Sequence, residues 1–193
     1  VALSGEVDGG LTPGLTMLAG PSKHFKTAFS LLLASAYLKR YKDDDVAILF
    51  YDSEFGTPQS YFSTFDIPLE SVVHTPISDV EMLKQDIMKQ LNALEENSKL
   101  IIIIDSIGNL ASAKEVQDAL DGKSVADMTR AKAIKSLFRM VTPILTMKNI
   151  PMVVVNHTYK EMSLFPKDIV SGGTGSYYSS DNIWIIGRQQ DKE

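Results

Sequence analysis

Apolar residues recur along the chain in two alternating patterns, which together predict a layered α/β fold. Continuous apolar runs rich in β-branched side chains are typical of strands buried on both faces of a parallel sheet. Such runs occupy residues 15–19, 46–51, 72–74, 100–104, 152–156 and 183–186. Because helical patterns separate most of these runs, we expect a mainly parallel β-sheet with helices on both faces.

The helical patterns have apolar residues three or four positions apart. They predict helices at residues 26–40, near 58–65, at 80–94, and from Val125 to Val141, where Pro143 should kink or end the helix. In the first helix, the expected core-facing residues are Phe29, Leu32, Leu33 and Ala36. In open α/β sheets, ligands bind at the carboxyl ends of the strands, so candidate chemistry is sought there.

Length and composition limit the class of protein. The chain has 193 residues, of which 44% are hydrophobic, so one domain spanning residues 1–193 can bury a substantial core. The absence of cysteine excludes disulfides and thiolate metal sites. No signal peptide is visible, and no apolar run approaches the roughly 20 residues of a membrane helix. We therefore expect a soluble protein without a membrane partner.

The net charge and its distribution along the chain point to different kinds of partner. The formal net charge of −5 argues weakly against a nucleic-acid-binding protein. Residues 111–175 nevertheless contain more basic than acidic side chains. This excess indicates either a local surface for a polyanion or ordinary variation on a solvated face, and charge alone does not separate the two.

The first predicted strand leads directly into a glycine-led loop and then a helix. The loop residues are Gly20, Pro21, Ser22, Lys23, His24, Phe25, Lys26 and Thr27. In the phosphate-binding template G-x-x-x-x-G-K-[ST], backbone N–H groups surround the phosphates, the lysine reaches the β- and γ-phosphates, and the hydroxyl binds magnesium. Gly20, Lys26 and Thr27 fit the template, so the loop is a candidate nucleotide site.

Phe25 departs from the template, which has glycine at this position. A side chain here restricts φ and crowds the backbone beside the phosphates. The loop alone therefore also allows a second interpretation, in which a Gly-Pro turn precedes a helix that happens to contain Lys-Thr.

Two further predicted strands end in carboxylates. Four isoleucines precede Asp105, a pattern typical of a strand whose terminal carboxylate holds magnesium. Its distance along the chain predicts a strand adjacent to strand 15–19. Strand 46–51 is followed by Asp52 and Glu54, either of which could orient and deprotonate an attacking water. Each of these carboxylates could instead be a turn residue.

The order of these motifs resembles the RecA/Rad51 recombinase family over essentially the whole chain. The resemblance is carried by the loop, Asp-Ser-Glu at 52–54, Ile-Ile-Asp-Ser-Ile-Gly-Asn-Leu at 103–110, and Val-Val-Asn-His at 154–157 followed by Gly-Gly-Thr-Gly. Phrases at 51–56, 104–112, 127–132, 135–139 and 149–151 are similar to the phage UvsX branch, which tolerates a non-glycine residue before the loop lysine. The resemblance implies a RecA-type P-loop ATPase core with ATP and Mg²⁺ as its cofactors.

The resemblance also implies roles for individual residues. Glu54 matches the catalytic carboxylate that activates water, and Tyr61 matches the aromatic that stacks on adenine. His157 stands where RecA has the glutamine that senses the γ-phosphate and couples it to the following loop. A histidine can donate one hydrogen bond to a phosphate oxygen. Tyr61 could instead be a core tyrosine, and His157 a structural histidine.

Two flexible DNA-binding loops are implied, at residues 114–126 and 158–175. A structureless stretch as long as the second is unusual in a compact domain unless it is functional. The candidate DNA-binding residues are Lys114, Lys123, Lys160, Lys167, Gly172 and Gly173. The lysines add positive charge, and the glycines let backbone amides approach phosphates. Lys132, Lys135 and Arg139 share a face of the long helix, which either contacts DNA or is a solvated face.

The chain begins at Val1 without methionine and ends at Glu193 in a charged stretch. We therefore expect an excised core that lacks the N-terminal polymerisation segment of the family. The C-terminal region that supplies basic residues to a neighbour's ATP site is expected to be missing as well. Such a core should bind nucleotide weakly and hydrolyse it poorly on its own.

The implied function is that of an ATP-dependent DNA strand-exchange recombinase, a DNA-dependent ATPase of homologous recombination and repair. Implied partners are single- and double-stranded DNA, further copies of the chain in a helical filament, and mediator and single-strand-binding proteins. The implied location is the cytoplasm of an infected bacterial host. Three alternatives stay open: a ring helicase-type or clock-type ATPase, a non-hydrolysing nucleotide-dependent binding module marked by Phe25, and a structural filament protein.

Overall fold

A computed structural model describes residues 10–95, 98–123, 128–161, 168–171 and 174–187. Its strands are β1 (Gly14–Gly20), β2 (Val46–Asp52), β3 (Val72–Pro76), β4 (Lys99–Asp105), β5 (Pro151–Lys160), β6 (Asp168–Val170) and β7 (Asn182–Ile185). They form one sheet of order β3-β2-β4-β5-β1-β7, in which all pairs are parallel, and β6 pairs antiparallel with β5. The predicted α/β class, with a mainly parallel sheet, is confirmed.

Helices cover both faces of this sheet, as predicted. They are α1 (Lys26–Arg40), α2 (Gln59–Thr64), α3 (Val80–Ala93), α4 (Ala113–Leu120), α5 (Thr129–Met147) and α6 (Thr174–Ser179). Within the ranges described above, no helix combines the length and apolarity that a membrane crossing requires. The arrangement is consistent with a RecA-type core.

The four isoleucines of β4 show how the strand pattern builds two cores. Successive side chains of a strand point to opposite faces. Ile101 and Ile103 therefore pack in the layer with Leu31 of α1 and Phe62 of α2. Ile102 and Ile104 pack in the other layer, which contains the apolar sides of α3 and α5. A strand buried on both faces explains why the run contains no polar residue.

The predicted core-facing side of α1 is only partly right, because Leu33 packs against the core but the other three predicted residues are exposed. Phe29 is 45% exposed and Leu32 is 51% exposed, and Ala36 is exposed as well. The buried residues of the helix are instead Lys26, Ser30, Leu31, Ala34 and Ser35. Lys26 must face the end of the sheet, and residues at i+4 and i+8 lie on the same helix face. The position of Lys26 therefore turns small residues inward and leaves larger apolar ones outside.

The predicted neighbour of strand β1 is also wrong. We expected β4, which ends at Asp105, to lie directly beside β1, but β5 lies between them. β1 and β4 each pair with β5 in parallel register, so their carboxyl ends still open at the same edge of the sheet. Chain distance did not reveal this because a later strand, β5, is inserted between the two.

The long helix continues through Pro143 to Met147 instead of ending there. Val141 and Leu145, on either side of the proline, are both fully buried. Their packing outweighs the backbone hydrogen bond that a proline removes. The predicted position Val125 lies outside the described residues.

Candidate functional site

The carboxyl ends of the central strands border a cavity of about 600 Å³. This volume falls in the range typical of small-molecule sites, roughly 300–1,000 Å³. Its lining includes the predicted residues Ser22, Lys23, His24, Phe25, Lys26, Thr27, Glu54, Tyr61, Asp105 and His157. Register explains the convergence, because Gly20 pairs with His157 and Asp52 pairs with Asp105 across neighbouring strands.

The loop before α1 takes the conformation that the template glycine would favour. Phe25 has φ 56° and ψ 21°, in the left-handed region, and Lys23 has φ 62°. Phe25 is 69% exposed and also lines the cavity, so it lies at the cavity rim and does not fill the cavity. The loop therefore keeps the conformation of the template, at the cost of an unfavourable φ for a non-glycine residue.

The start of α1 supplies donors for an anion. Phe25 provides no side-chain cap to the 15-residue helix, and the first N–H groups of a helix have no acceptor within it. The Lys26 side chain is folded back on the loop, where its Nζ donates to the Pro21 carbonyl at 2.7 Å. Burial lowers the pKa of Lys26, against the opposing charges of Glu54 and Asp105.

Asp105 has one bonded and one unbonded carboxylate oxygen. Thr27 Oγ1 donates to Asp105 Oδ2 at 2.6 Å, which joins the loop to the end of β4. Asp105 Oδ1 is buried and has no hydrogen-bond partner among the described residues. Burial, together with the charges of Glu54 and Asp52, raises the pKa of Asp105 to about 6, although Thr27 and Lys26 oppose the shift.

Asp52 is used differently, as a turn residue. Its carboxylate accepts hydrogen bonds from the backbone N–H groups of Glu54 at 3.0 Å, Phe55 at 2.7 Å and Thr57 at 3.3 Å, and lies 3.2 Å from His74 Nε2. These contacts form the turn that places Glu54 at the cavity. Of the two carboxylates left open by the sequence, the geometry favours Glu54 as the one available to a ligand.

Glu54 and His157 meet at the cavity wall. Glu54 Oε1 lies 3.1 Å from His157 Nε2 and accepts a hydrogen bond from Ser106 Oγ at 3.0 Å. Ser106 is a site residue that the sequence reasoning did not single out. Its position directly after the metal-binding candidate Asp105, in a quoted motif, was the available signal.

The strand that carries His157 is tied to β6. Asn156 is fully buried, and its Nδ2 donates to the Ser171 carbonyl at 2.9 Å while its Oδ1 accepts from Ser171 Oγ at 2.7 Å. Ser171 N also donates to the His157 carbonyl at 2.9 Å. A Cβ added to Gly108 would lie 2.8 Å from His157 Cδ2, so this glycine leaves room for the imidazole. A shift of His157 would therefore displace Ser171 as well.

The two predicted DNA segments contain more regular structure than expected. Residues 113–120 form α4, in which Ser112 Oγ accepts from Glu115 N at 3.1 Å and Ser112 N donates to Glu115 Oε2 at 3.3 Å. This Ser-x-x-Glu capping box is readable in the sequence and was missed. In the second segment, residues 158–160 belong to β5 and pair with residues 168–170. The expectation that the second segment is structureless throughout is wrong, whereas DNA contact by the two segments stays a prediction.

Of the predicted DNA-binding residues, the described ones are Lys114, Lys123 and Lys160, and none of these three lines the cavity. Lys114 forms an ion pair with Asp118 at 2.7 Å, and Lys123 with Asp121 at 2.9 Å. Lys160 ends β5, whereas Lys167, Gly172 and Gly173 lie outside the described residues. Gly175 lies in α6, where an added Cβ would be 2.9 Å from Lys135 Cβ. This last glycine therefore permits close packing of α6 on α5.

Comparison with known proteins gives one clear similarity. No protein-family model matches the chain. The chain is 50% identical over all of its 193 residues to the "Recombination and repair protein" of Enterobacteria phage T4. It spans 49% of the length of that protein, so the match covers about half of this relative.

Proposed function

We propose that this chain is the ATP-binding core of a phage recombination and repair protein, a DNA-dependent ATPase of the recombinase type. The main support is the buried, unbonded Oδ1 of Asp105, which lies in a cavity that also presents Thr27, Lys26 and Glu54. A buried carboxylate oxygen without a partner is costly unless a ligand satisfies it. The similarity to a phage recombination and repair protein supports the same assignment.

The residues at the end of β4 suit magnesium. Mg²⁺ prefers oxygen donors and is commonly held by one or two protein groups together with substrate phosphates and water. Asp105 and Thr27 supply a carboxylate and a hydroxyl that are already joined at 2.6 Å. When bound, the metal neutralises negative charge on the β- and γ-phosphates. Burial raises the pKa of Asp105 to about 6, and a bound cation would favour the charged form and so lower it.

Several groups around the cavity are proposed to contact ATP or the attacking water. The uncapped amides of α1 bind phosphate oxygens, and Lys26 exchanges its contact with the Pro21 carbonyl for the phosphates. Tyr61, which lines the same cavity, stacks on the base. Glu54 takes the proton of the water that attacks the γ-phosphorus, and ADP leaves with the electrons of the broken P–O bond.

His157 is proposed to couple phosphate binding to DNA binding. On phosphate binding, its imidazole leaves Glu54 and donates to the γ-phosphate, and the Asn156–Ser171 contacts transmit the change to residues 168–171. Single-stranded DNA is the proposed ligand of the segment 158–175, which follows His157 in the chain. Filament formation with further copies, pairing with double-stranded DNA, mediator and single-strand-binding partners, and action in the infected host's cytoplasm are part of this proposal.

The first test is nucleotide binding and turnover by this chain. Isothermal titration with Mg-ATP, and phosphate release with and without single-stranded DNA, should show weak binding and slow, DNA-stimulated turnover. Glu54→Gln should keep the binding but lose roughly 10²- to 10⁴-fold in phosphate release. Glu70→Gln, which changes an exposed glutamate of the same charge, is the matched control and should behave like wild type.

The outcomes separate the alternatives. Absence of Mg-ATP binding would remove the proposed function altogether. Binding with no difference between wild type and Glu54→Gln in phosphate release would favour a non-hydrolysing module. Phosphate release at the same rate with and without single-stranded DNA would favour a structural filament protein. Rings seen by electron microscopy would favour a ring helicase-type or clock-type ATPase.

A further inference from the structure

We propose that Ser106 is a positioning residue, whose hydroxyl holds the Glu54 carboxylate in the orientation that water activation requires. This inference rests on the proposed ATPase function. Ser106 is fully buried, and its Oγ donates to Glu54 Oε1 at 3.0 Å. The same Oγ lies 3.4 Å from His157 Nε2, so it contacts both groups that face the cavity.

The Ser106 hydroxyl is held in place by backbone contacts, independently of its own bond to Glu54. Ser106 N donates to Ser53 Oγ at 2.9 Å, and Ser53 Oγ donates to the Ser106 carbonyl at 2.6 Å. Ser53 N also donates to the Asp105 carbonyl at 2.8 Å. The turn after β2 is thereby fastened to the turn after β4. Removing only the Ser106 hydroxyl leaves these backbone contacts intact.

Glu54 needs such a support because its side chain is 38% exposed and has few contacts of its own. Its two described side-chain partners are Ser106 and His157. When His157 turns to the γ-phosphate, it gives up Glu54, and the Ser106 hydroxyl is the described contact that remains. Ser106 thus holds the carboxylate during the step in which its direction matters, since small displacements of a reacting group can cost about 10²-fold in rate.

The test compares steady-state kinetics of Ser106→Ala with wild type. We expect kcat to fall by roughly 10- to 100-fold, while KM and the Mg-ATP dissociation constant change less than about twofold, because the hydroxyl acts on orientation and not on binding. Ser35→Ala is the matched control. Ser35 is a buried serine of α1, 5% exposed and outside the cavity lining, so its substitution should leave both constants unchanged.

A double-mutant cycle separates positioning from mere support of the fold. If Ser106 acts through Glu54, adding Ser106→Ala to Glu54→Gln should cause no further loss of kcat. A full, additive loss would overturn the inference, as would a raised KM at unchanged kcat. Should Ser106→Ala not fold, Ser106→Cys replaces the hydroxyl with a somewhat larger thiol that is a weaker donor, and an unchanged kcat in that variant would likewise count against the proposal.

The inference can fail separately from the proposed function. If wild type shows no turnover, the ATPase proposal itself is wrong, and the role of Ser106 falls with it. If wild type turns over and Ser106→Ala does so at the same kcat, the ATPase proposal stands and the positioning role is wrong.

Discussion

Asp52 and Asp105 share strand position, register and burial, but their hydrogen-bond partners differ. Each is the last residue of its strand, the two pair in parallel register, and their exposures are 2% and 3%. The Asp52 carboxylate accepts from three backbone N–H groups and contacts His74. Asp105 accepts from Thr27, and its other oxygen has no partner among the described residues.

The difference shows that partners, and not burial or position, decide the role of a strand-end carboxylate. A carboxylate with several N–H donors is stabilised in its charged form and fixes the backbone around it. One that is buried with a single donor is costly when charged, and its pKa of about 6 expresses that cost. Asp52 therefore builds the site, whereas Asp105 is available to a cation.

The largest expected effect is on activity. Asp105→Asn removes the charge proposed to hold Mg²⁺, so we expect Mg-ATP turnover to fall by at least about 10²-fold, in line with the several kcal/mol that metal-assisted charge stabilisation supplies. Phosphate release measured against Mg²⁺ concentration would show it. Asp66→Asn is the control, because Asp66 is a surface residue with a 79% exposed side chain. An Asp105→Asn protein with wild-type Mg²⁺ dependence would contradict the assignment.

The second effect concerns the stability of the turn. Asp52→Asn turns one acceptor oxygen into an N–H₂ group facing backbone donors, so buried N–H groups lose their partner. We expect the free energy of unfolding to fall by about 3 kcal/mol, at roughly 1–3 kcal/mol for each unsatisfied group. Urea unfolding is the measurement, again with Asp66→Asn as control. A loss no larger than that of the control would mean that Asp52 does not hold the turn.

Much of this arrangement is readable in the sequence. The apolar runs predicted the sheet, and the loop motif with Asp105 predicted most of the residues that line the cavity, because strand-end motifs in parallel sheets converge; Gly20 and Pro21 are not in the lining. What the sequence left open was the choice between Asp52 and Glu54. That choice depends on which side chain receives the backbone N–H groups of the turn, a property of three-dimensional geometry.

Three other features were not predicted from the sequence, each for a different reason. The inward face of α1 follows from the orientation of Lys26 and not from the most apolar stripe, so hydrophobicity pointed to Phe29 and Leu32 instead. The insertion of β5 beside β1 depends on pairing between segments over 130 residues apart in the chain. The α4 capping box was readable at Ser112 and was overlooked because the family resemblance implied a loop there.

The third effect has the opposite sign to the second. Without metal, Asp105→Asn removes a buried carboxylate whose raised pKa corresponds to about 3 kcal/mol. The unpartnered amide N–H₂ of asparagine offsets about 1 kcal/mol of this, so the free energy of unfolding at neutral pH should rise by about 2 kcal/mol. The same substitution thus destabilises at Asp52 and stabilises at Asp105. Urea unfolding in the presence of a chelator tests this, and a destabilised Asp105→Asn protein would remove the contrast.

The pH dependence of that gain follows from the sign of the shift. The pKa of Asp105 is raised from 3.8 to about 6, so below pH 3.8 the residue is protonated in both states and contributes no difference. Between pH 3.8 and about 6 the unfolded chain releases its proton more readily, so wild type loses stability relative to Asp105→Asn. Above pH 6 the difference is constant. A difference that shrinks as pH rises from 4 to 6 would contradict the raised pKa.

The smallest expected effect is that of substituting His74, the side-chain partner of Asp52. His74 Nε2 lies 3.2 Å from Asp52 Oδ2, and its ring contacts Phe50 and Phe62 at centroid distances of 5.4 and 5.6 Å. His74→Phe keeps an aromatic ring but removes the donor, and should cost about 1 kcal/mol, the typical value of one hydrogen bond. The backbone donors remain, so the turn should survive and turnover should stay close to wild type.

The companion variant His74→Gln keeps a donor and loses the ring contacts, so urea unfolding of the two variants separates hydrogen bonding from packing. If the bond to Asp52 matters, His74→Phe should lose its effect in the Asp52→Asn background, because the acceptor is already changed there. Additive losses would instead assign His74 to the aromatic layer. The three backbone donors would then hold Asp52 by themselves, and its contrast with Asp105 would rest on main-chain hydrogen bonds alone.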